Sequence, residues 1–143
     1  MSVHNLIYPM AAMVLLTAVV LVLMFRARVA AVRSGLIEVE YFRLHQGARE
    51  PAESLKYSRH FTNLFEAPIL FYTACLAAMV VGLNTTAMAV LAWVYVAVRI
   101  LHAFIHLGAN RLRFRRNAYG LGWLVLLGMW GYLVTAIAMR GAG

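Results

Sequence analysis

Four long apolar runs, at residues 6–25, 61–83, 87–107 and 121–139, constrain this chain more than anything else in it. Each is close to the ~20 residues that a helix needs to cross a ~30 Å hydrocarbon layer. None alternates apolar and polar residues, so helices are expected and not the strands of a barrel. The predicted fold class is all-α, an integral membrane four-helix bundle forming one domain over residues 1–143. Composition agrees: 64% of residues are hydrophobic and 13% charged, where a soluble domain is about half apolar. No internal repeat, low-complexity segment or domain boundary interrupts the pattern. The opening MSVHNLIYPM has no Lys or Arg before its apolar run. A secretory leader begins with a basic region, so the first run is read as a retained helix. Pro9 falls in its first turns, where a missing N–H costs little. Gly82-Leu83-Asn84 reads as a helix stop.

The net charge of +8 raises the question of nucleic acid. The cations lie between the apolar runs and not along one exposed element, which is the pattern of membrane-flanking charge, so no nucleic-acid partner is expected. Arg26, Arg28, Arg33, Arg43, Arg49, Lys56 and Arg59 separate runs one and two, and Arg111, Arg113, Arg115 and Arg116 separate runs three and four. The link Asn84-Thr85-Thr86 is uncharged. The positive-inside rule then puts both basic loops, including the long loop 26–60, in the cytoplasm and both termini on the other side, with Arg140 the one cation against it. A bacterial inner membrane is a compatible location. Residues 36–44 mix apolar and charged side chains, as a short helix lying on the membrane surface would, and residues 47–51 read as a break. Cys75, the lone cysteine, rules out an internal disulfide and is expected to be a small buried hydrophobe.

Ionisable residues inside the runs are costly and should face a partner or a polar cavity. In run two, Arg59, Asn63 and Glu66 are spaced i, i+4, i+7 and are predicted to share a helical face. In run three, Arg99, His102 and His106 are spaced i, i+3, i+7. At 1.5 Å per residue, Glu66 lies about 10 Å inward from Arg59 and Arg99 a similar depth from His106. The two are predicted to meet as an ion pair, either to fix helix register or to floor a site. The pair His102 and His106 lacks the glutamate of a zinc motif and a third ligand, so no metal is expected, and nothing singles out a haem ligand. Four arginines in residues 111–116 attract anions, although topology and lipid headgroups account for such loops too. Arg59, Asn63, His106, Arg115 and Tyr119 should converge at one membrane edge, with run one as an apolar wall. Gly120, Gly122, Gly128, Gly131, Trp123 and Trp130 are read as packing residues. Run one carries no ionisable residue, which argues against a proton-driven exporter.

With Arg59-x3-Asn63-x2-Glu66, Arg99-x2-His102-x3-His106 and Arg115-x3-Tyr119 in this order, the chain resembles the MAPEG family, the membrane-associated proteins of eicosanoid and glutathione metabolism. The resemblance covers all four runs. It implies four-helix subunits assembled as a homotrimer, with glutathione bound as cosubstrate between subunits near the cytoplasmic side. Lipophilic substrates would arrive from the bilayer. It further implies that Arg59, Asn63 and Glu66 hold the tripeptide, that Arg99 packs with Glu66, and that His102 and His106 line the site. Arg115 would face the thiol with Tyr119 beside it, as the catalytic pair. The chemistry is coherent, because a fixed guanidinium stabilises a thiolate and arginine forks suit carboxylates. Two features depart from the family pattern: His106 stands where studied members often have tyrosine, and Pro68 follows Glu66 closely. Spacing alone selects Arg115 over Arg113 and Arg116. The implied activity is a transferase or peroxidase acting on lipophilic electrophiles. The alternative is a lipid-binding or scaffolding protein of the same fold without catalysis.

Overall fold

The computed structural model describes residues 4–44 and 50–141. They form α1 (His4–Arg33), the single turn α2 (Tyr41–Leu44), α3 (Ala52–Asn63), α4 (Ala67–Val80), α5 (Thr86–Leu107) and α6 (Leu112–Gly141). Among the described residues there is no strand. Among the described residues, four stretches are long and apolar enough to cross a membrane: Asn5–Arg33, Ala52–Val80, Thr86–Leu107 and Leu112–Gly141. The chain is therefore an all-helical, multi-pass membrane protein.

The helices outrun the apolar segments. The 30 residues of α1 make a rod of about 45 Å, ~15 Å longer than the hydrocarbon layer. About half of the predicted loop 26–60 is thus helical, as the end of α1 and the start of α3. Hydropathy misses these turns because their outer faces are polar. The surface helix expected at 36–44 shrinks to the one turn of α2, and Leu36 and Val39 are exposed. Of the break expected at 47–51, residues 47–49 lie outside the described residues, and Pro51 stands at the N-cap of α3.

The end of α4 falls at the predicted stop. Gly82 adopts φ +67°, the Leu83 N–H donates to the Ala78 carbonyl at 2.8 Å, and the Gly82 N–H donates to Met79 at 3.3 Å. This left-handed closure satisfies carbonyls that a helix end leaves orphaned. Arg140 adds to it from α6, donating to the Val81 carbonyl at 2.9 Å. The one cation at the neutral end is thus a helix cap. A Cβ at Gly82 would meet no atom within 4 Å, so Gly82→Ala is expected to cost about 1 kcal/mol from backbone conformation alone, read as a lower melting temperature in detergent. Across the turn, Thr85 caps α5, its hydroxyl accepting from the Met88 N–H at 3.2 Å and lying 2.8 Å from the Tyr132 hydroxyl of α6.

α5 is central and packs against α1, α3, α4 and α6. Its buried seam is Met88, Ala92, Tyr95, Arg99, His102 and His106, in alternating steps of four and three. That spacing keeps one stripe facing inward. The stripe begins apolar at the neutral end and becomes ionisable towards the basic end. Its apolar half meets Met13 of α1, Phe71 and Ala78 of α4, and Leu126, Met129 and Leu133 of α6. Outward-facing Leu15, Val22, Leu76, Ile100, Phe104, Leu124 and Leu127 are exposed, apolar surface of the kind that lipid or a partner's helices cover.

The second span comes in two pieces. Pro68 has no N–H to offer the Leu64 carbonyl, and its ring crowds that carbonyl. The backbone leaves the helix at Glu66, with φ −95° and ψ −100°. The N–H groups of Phe65 and Glu66 instead donate to the carbonyls of Thr62 and Asn63. This break separates α3 from α4 and turns Glu66 out of the helix.

Candidate functional site

The break changes how the polar residues meet. Arg59, Asn63 and Glu66 do not lie on one continuous helix, and Glu66 is exposed. The predicted Glu66–Arg99 ion pair does not form. The Asn63 carboxamide stands between them: its Nδ2 donates to Glu66 Oε2 at 3.1 Å and its Oδ1 accepts from Arg99 Nη1 at 3.2 Å. The depth expectation holds, since all three residues share a level, but an amide connects the charges.

Arg99 is 1% exposed, and neutral groups hold it. Its Nε donates to the Tyr95 hydroxyl at 3.0 Å. Its Cζ lies 5.2 Å from the Tyr95 ring centroid and 5.3 Å from that of Tyr119, within range for cation–π attraction. α6 passes close by at Gly122, where a Cβ would lie 3.6 Å from Arg99 Nε.

Above Arg99 opens a cavity of about 1310 Å³. Arg59, Asn63, Glu66, His102, His106, Arg115 and Tyr119 all line it, together with Arg113 and Arg116. Arg99 lies one layer behind, reached through Asn63 and Tyr119. The three loop arginines are not equivalent. Arg115 is half-buried and donates to Asn110 Oδ1 at 2.9 Å, whereas Arg113 and Arg116 are exposed. Tyr119 approaches His102 with ring centroids 5.8 Å apart.

α1 is not only an apolar wall, because its extended end brings Met24 and Arg28 into the lining. Arg28 Nη2 donates to Ser58 Oγ at 3.0 Å, and its Nε lies 3.6 Å from Glu50 Oε1. Glu50 is buried and accepts from Ser54 at 2.5 Å and from Ser58 at 2.9 Å. The Phe42 ring covers the Arg28 guanidinium at 5.1 Å. This cluster ties α1, α2 and α3 together beneath the cavity mouth. Glu50→Ala would leave two serines without their shared acceptor and Arg28 without its counter-charge. Because the Arg28 side chain keeps 25% of its surface in solvent, the expected loss is about 2–3 kcal/mol, measurable as a lower midpoint of detergent-induced unfolding.

His60 is the residue that sequence reasoning passed over. It is fully buried on α3, with Nδ1 3.0 Å from Nδ1 of His106, and its ring centroid lies 5.3 Å from that of His102. Nothing in the local sequence marks His60 as inward-facing, because the break after Asn63 separates it from the apolar pattern of α4. Although three imidazoles are in contact, no group of three or more metal-ligating side chains among the described residues is placed to hold a metal ion.

The MAPEG family model matches residues 6–135. The chain belongs to the MAPEG family. No curated protein and no solved structure matches it. The matched region contains every residue that lines the cavity, so the polar pocket belongs to the MAPEG portion of the chain and not to an appended segment. MAPEG membership associates the chain broadly with membrane proteins of glutathione and eicosanoid chemistry.

Proposed function

We propose that this MAPEG chain is a glutathione-dependent membrane enzyme of the transferase or peroxidase type, acting on lipophilic electrophiles. In this reading residues 1–143 form one domain, three copies assemble as a homotrimer, and the basic loops face the cytoplasm of a bacterial inner membrane. The observation that carries it is convergence: seven residues chosen from spacing and resemblance line a single cavity. That lining also sets five arginines against two glutamates, a field that draws anions.

Glutathione fits this donor set. Its two carboxylates suit the arginine forks of Arg59, Arg113 and Arg116, and its ammonium suits Glu66. His102 lines the cavity, and its Nδ1 is buried without a partner among the described residues, as a polar atom kept for a ligand would be. When bound, glutathione supplies a thiolate, the nucleophilic form of a thiol. Arg115 keeps a permanent positive charge at the cavity wall, where it favours the anion over the thiol. Asn110 holds the guanidinium in place, and the Tyr119 hydroxyl offers a further donor. Met24, Leu55, Phe61 and Leu112 line the same cavity and provide apolar surface for a substrate arriving from the bilayer.

The test is thermal stability of the full chain in detergent with millimolar glutathione, beside Arg115→Ala. A rise in melting temperature that the variant reduces supports the reading. No rise in the wild type removes it and leaves the lipid-binding alternative.

A further inference from the structure

The hydrogen bond between His60 and His106 constrains both rings at once. A contact between two Nδ1 atoms at 3.0 Å holds only if one nitrogen carries a proton and the other is bare. For two neutral rings, the tautomers must therefore be opposite. Either His60 donates, which leaves its own Nε2 bare and puts the second ring's proton on His106 Nε2, or the reverse holds. The two rings face different surroundings. His106 lines the cavity, and with Nδ1 taken, Nε2 is the atom it has left for a ligand. His60 does not line the cavity, and its Nε2 is buried without a partner among the described residues.

Two considerations select the first arrangement. A proton on His60 Nε2 would be an orphaned buried N–H, and such donors are rare in folded proteins. On the other side, a cavity with five arginines against two glutamates collects anions, and an anion needs a donor. We infer that His60 is a positioning residue: it donates from Nδ1 to His106 and thereby fixes His106 as the tautomer that presents Nε2–H to an anionic ligand.

His60 thus decides whether His106 offers the site a donor or an acceptor, without touching the ligand itself. The tautomer assignment stands on the ligand-free protein. Its consequence for affinity rests on the proposed glutathione reading.

The experiment uses the full chain in nanodiscs with histidine labelled in ¹⁵N and ¹³C, and single-histidine variants for assignment. In the ligand-free wild type, His106 should show Nε2 protonated and Nδ1 bare, with His60 showing the reverse. A proton on His106 Nδ1, or the same tautomer in both rings, overturns the inference. Glutathione titration then compares His60→Phe with His60→Asn. Loss of the fixed donor should weaken binding about three- to tenfold in the phenylalanine variant, and the asparagine carboxamide, which donates, should restore most of it. Unchanged affinity in a folded His60→Phe also overturns the inference. If His60→Phe does not fold, the wild-type tautomers still decide. If the wild type binds no glutathione, the functional reading falls while the tautomer result is read independently.

Discussion

Arg115→Ala is expected to lower kcat/KM for thiol transfer to a lipophilic electrophile by about two to three orders of magnitude, the usual loss when a preorganised charge is removed from a developing anion. The folded state should hardly notice. The half-buried Arg115 side chain donates to Asn110 Oδ1, so the stability loss should stay at about 1 kcal/mol or below. Arg113→Ala and Arg116→Ala supply the contrast. Both side chains are exposed at the cavity rim, and there they act through a field that salt screens. Each should weaken glutathione affinity by about threefold at low ionic strength, with the effect fading as salt rises. Ultraviolet absorbance of the bound thiolate separates the cases, because only loss of the sulfur-facing guanidinium should abolish it. Abolition in Arg113→Ala or Arg116→Ala but not in Arg115→Ala would move the role to that arginine.

The second large effect is on stability. Arg99→Leu removes the donor to both Asn63 Oδ1 and the Tyr95 hydroxyl and two cation–π contacts. The acceptors left behind lie where a membrane offers little water, so about 2–4 kcal/mol of lost stability is expected. The sign is informative, because a buried cation carries a desolvation cost and apolar replacements of buried charges sometimes stabilise a fold. A clear loss would show that Arg99 holds the helices in register. A gain, accompanied by loss of glutathione binding, would show that the charge is kept for the ligand. Arg99→Lys should fall between, since one ammonium on a flexible stem cannot reproduce a fork that meets both partners.

How far these features were legible in the sequence depends on the distance over which each is determined. The four spans follow from hydropathy, which acts residue by residue, and Gly82 marks the end of α4 through local backbone preference. The family motifs identified seven cavity residues because helical spacing projects side chains to one end of the bundle. The failures are tertiary. Arg28 and Glu50 lie in separate polar stretches, and only the packing of α1 on α3 makes them partners. Helical periodicity puts Glu66 on the face of Arg59 and Asn63, and Pro68 interrupts that periodicity. The proline was visible, but its position two residues into α4 meant that the helix before it, and not the helix after it, lost Glu66. Residues 36–44 form only the single turn of α2, because a mixed apolar and charged sequence suits a simple connection as well as a bilayer surface.

The amide that separates Glu66 from Arg99 has one more consequence. A direct ion pair would have cancelled both charges before any ligand arrived. A carboxamide has no net charge, so it orients its two neighbours without neutralising either. Asn63 therefore acts as a spacer that leaves the Glu66 carboxylate uncancelled at the cavity wall, with the Arg99 guanidinium held one layer behind it. On the proposed glutathione reading, that uncancelled carboxylate is left free to meet the ammonium of the ligand.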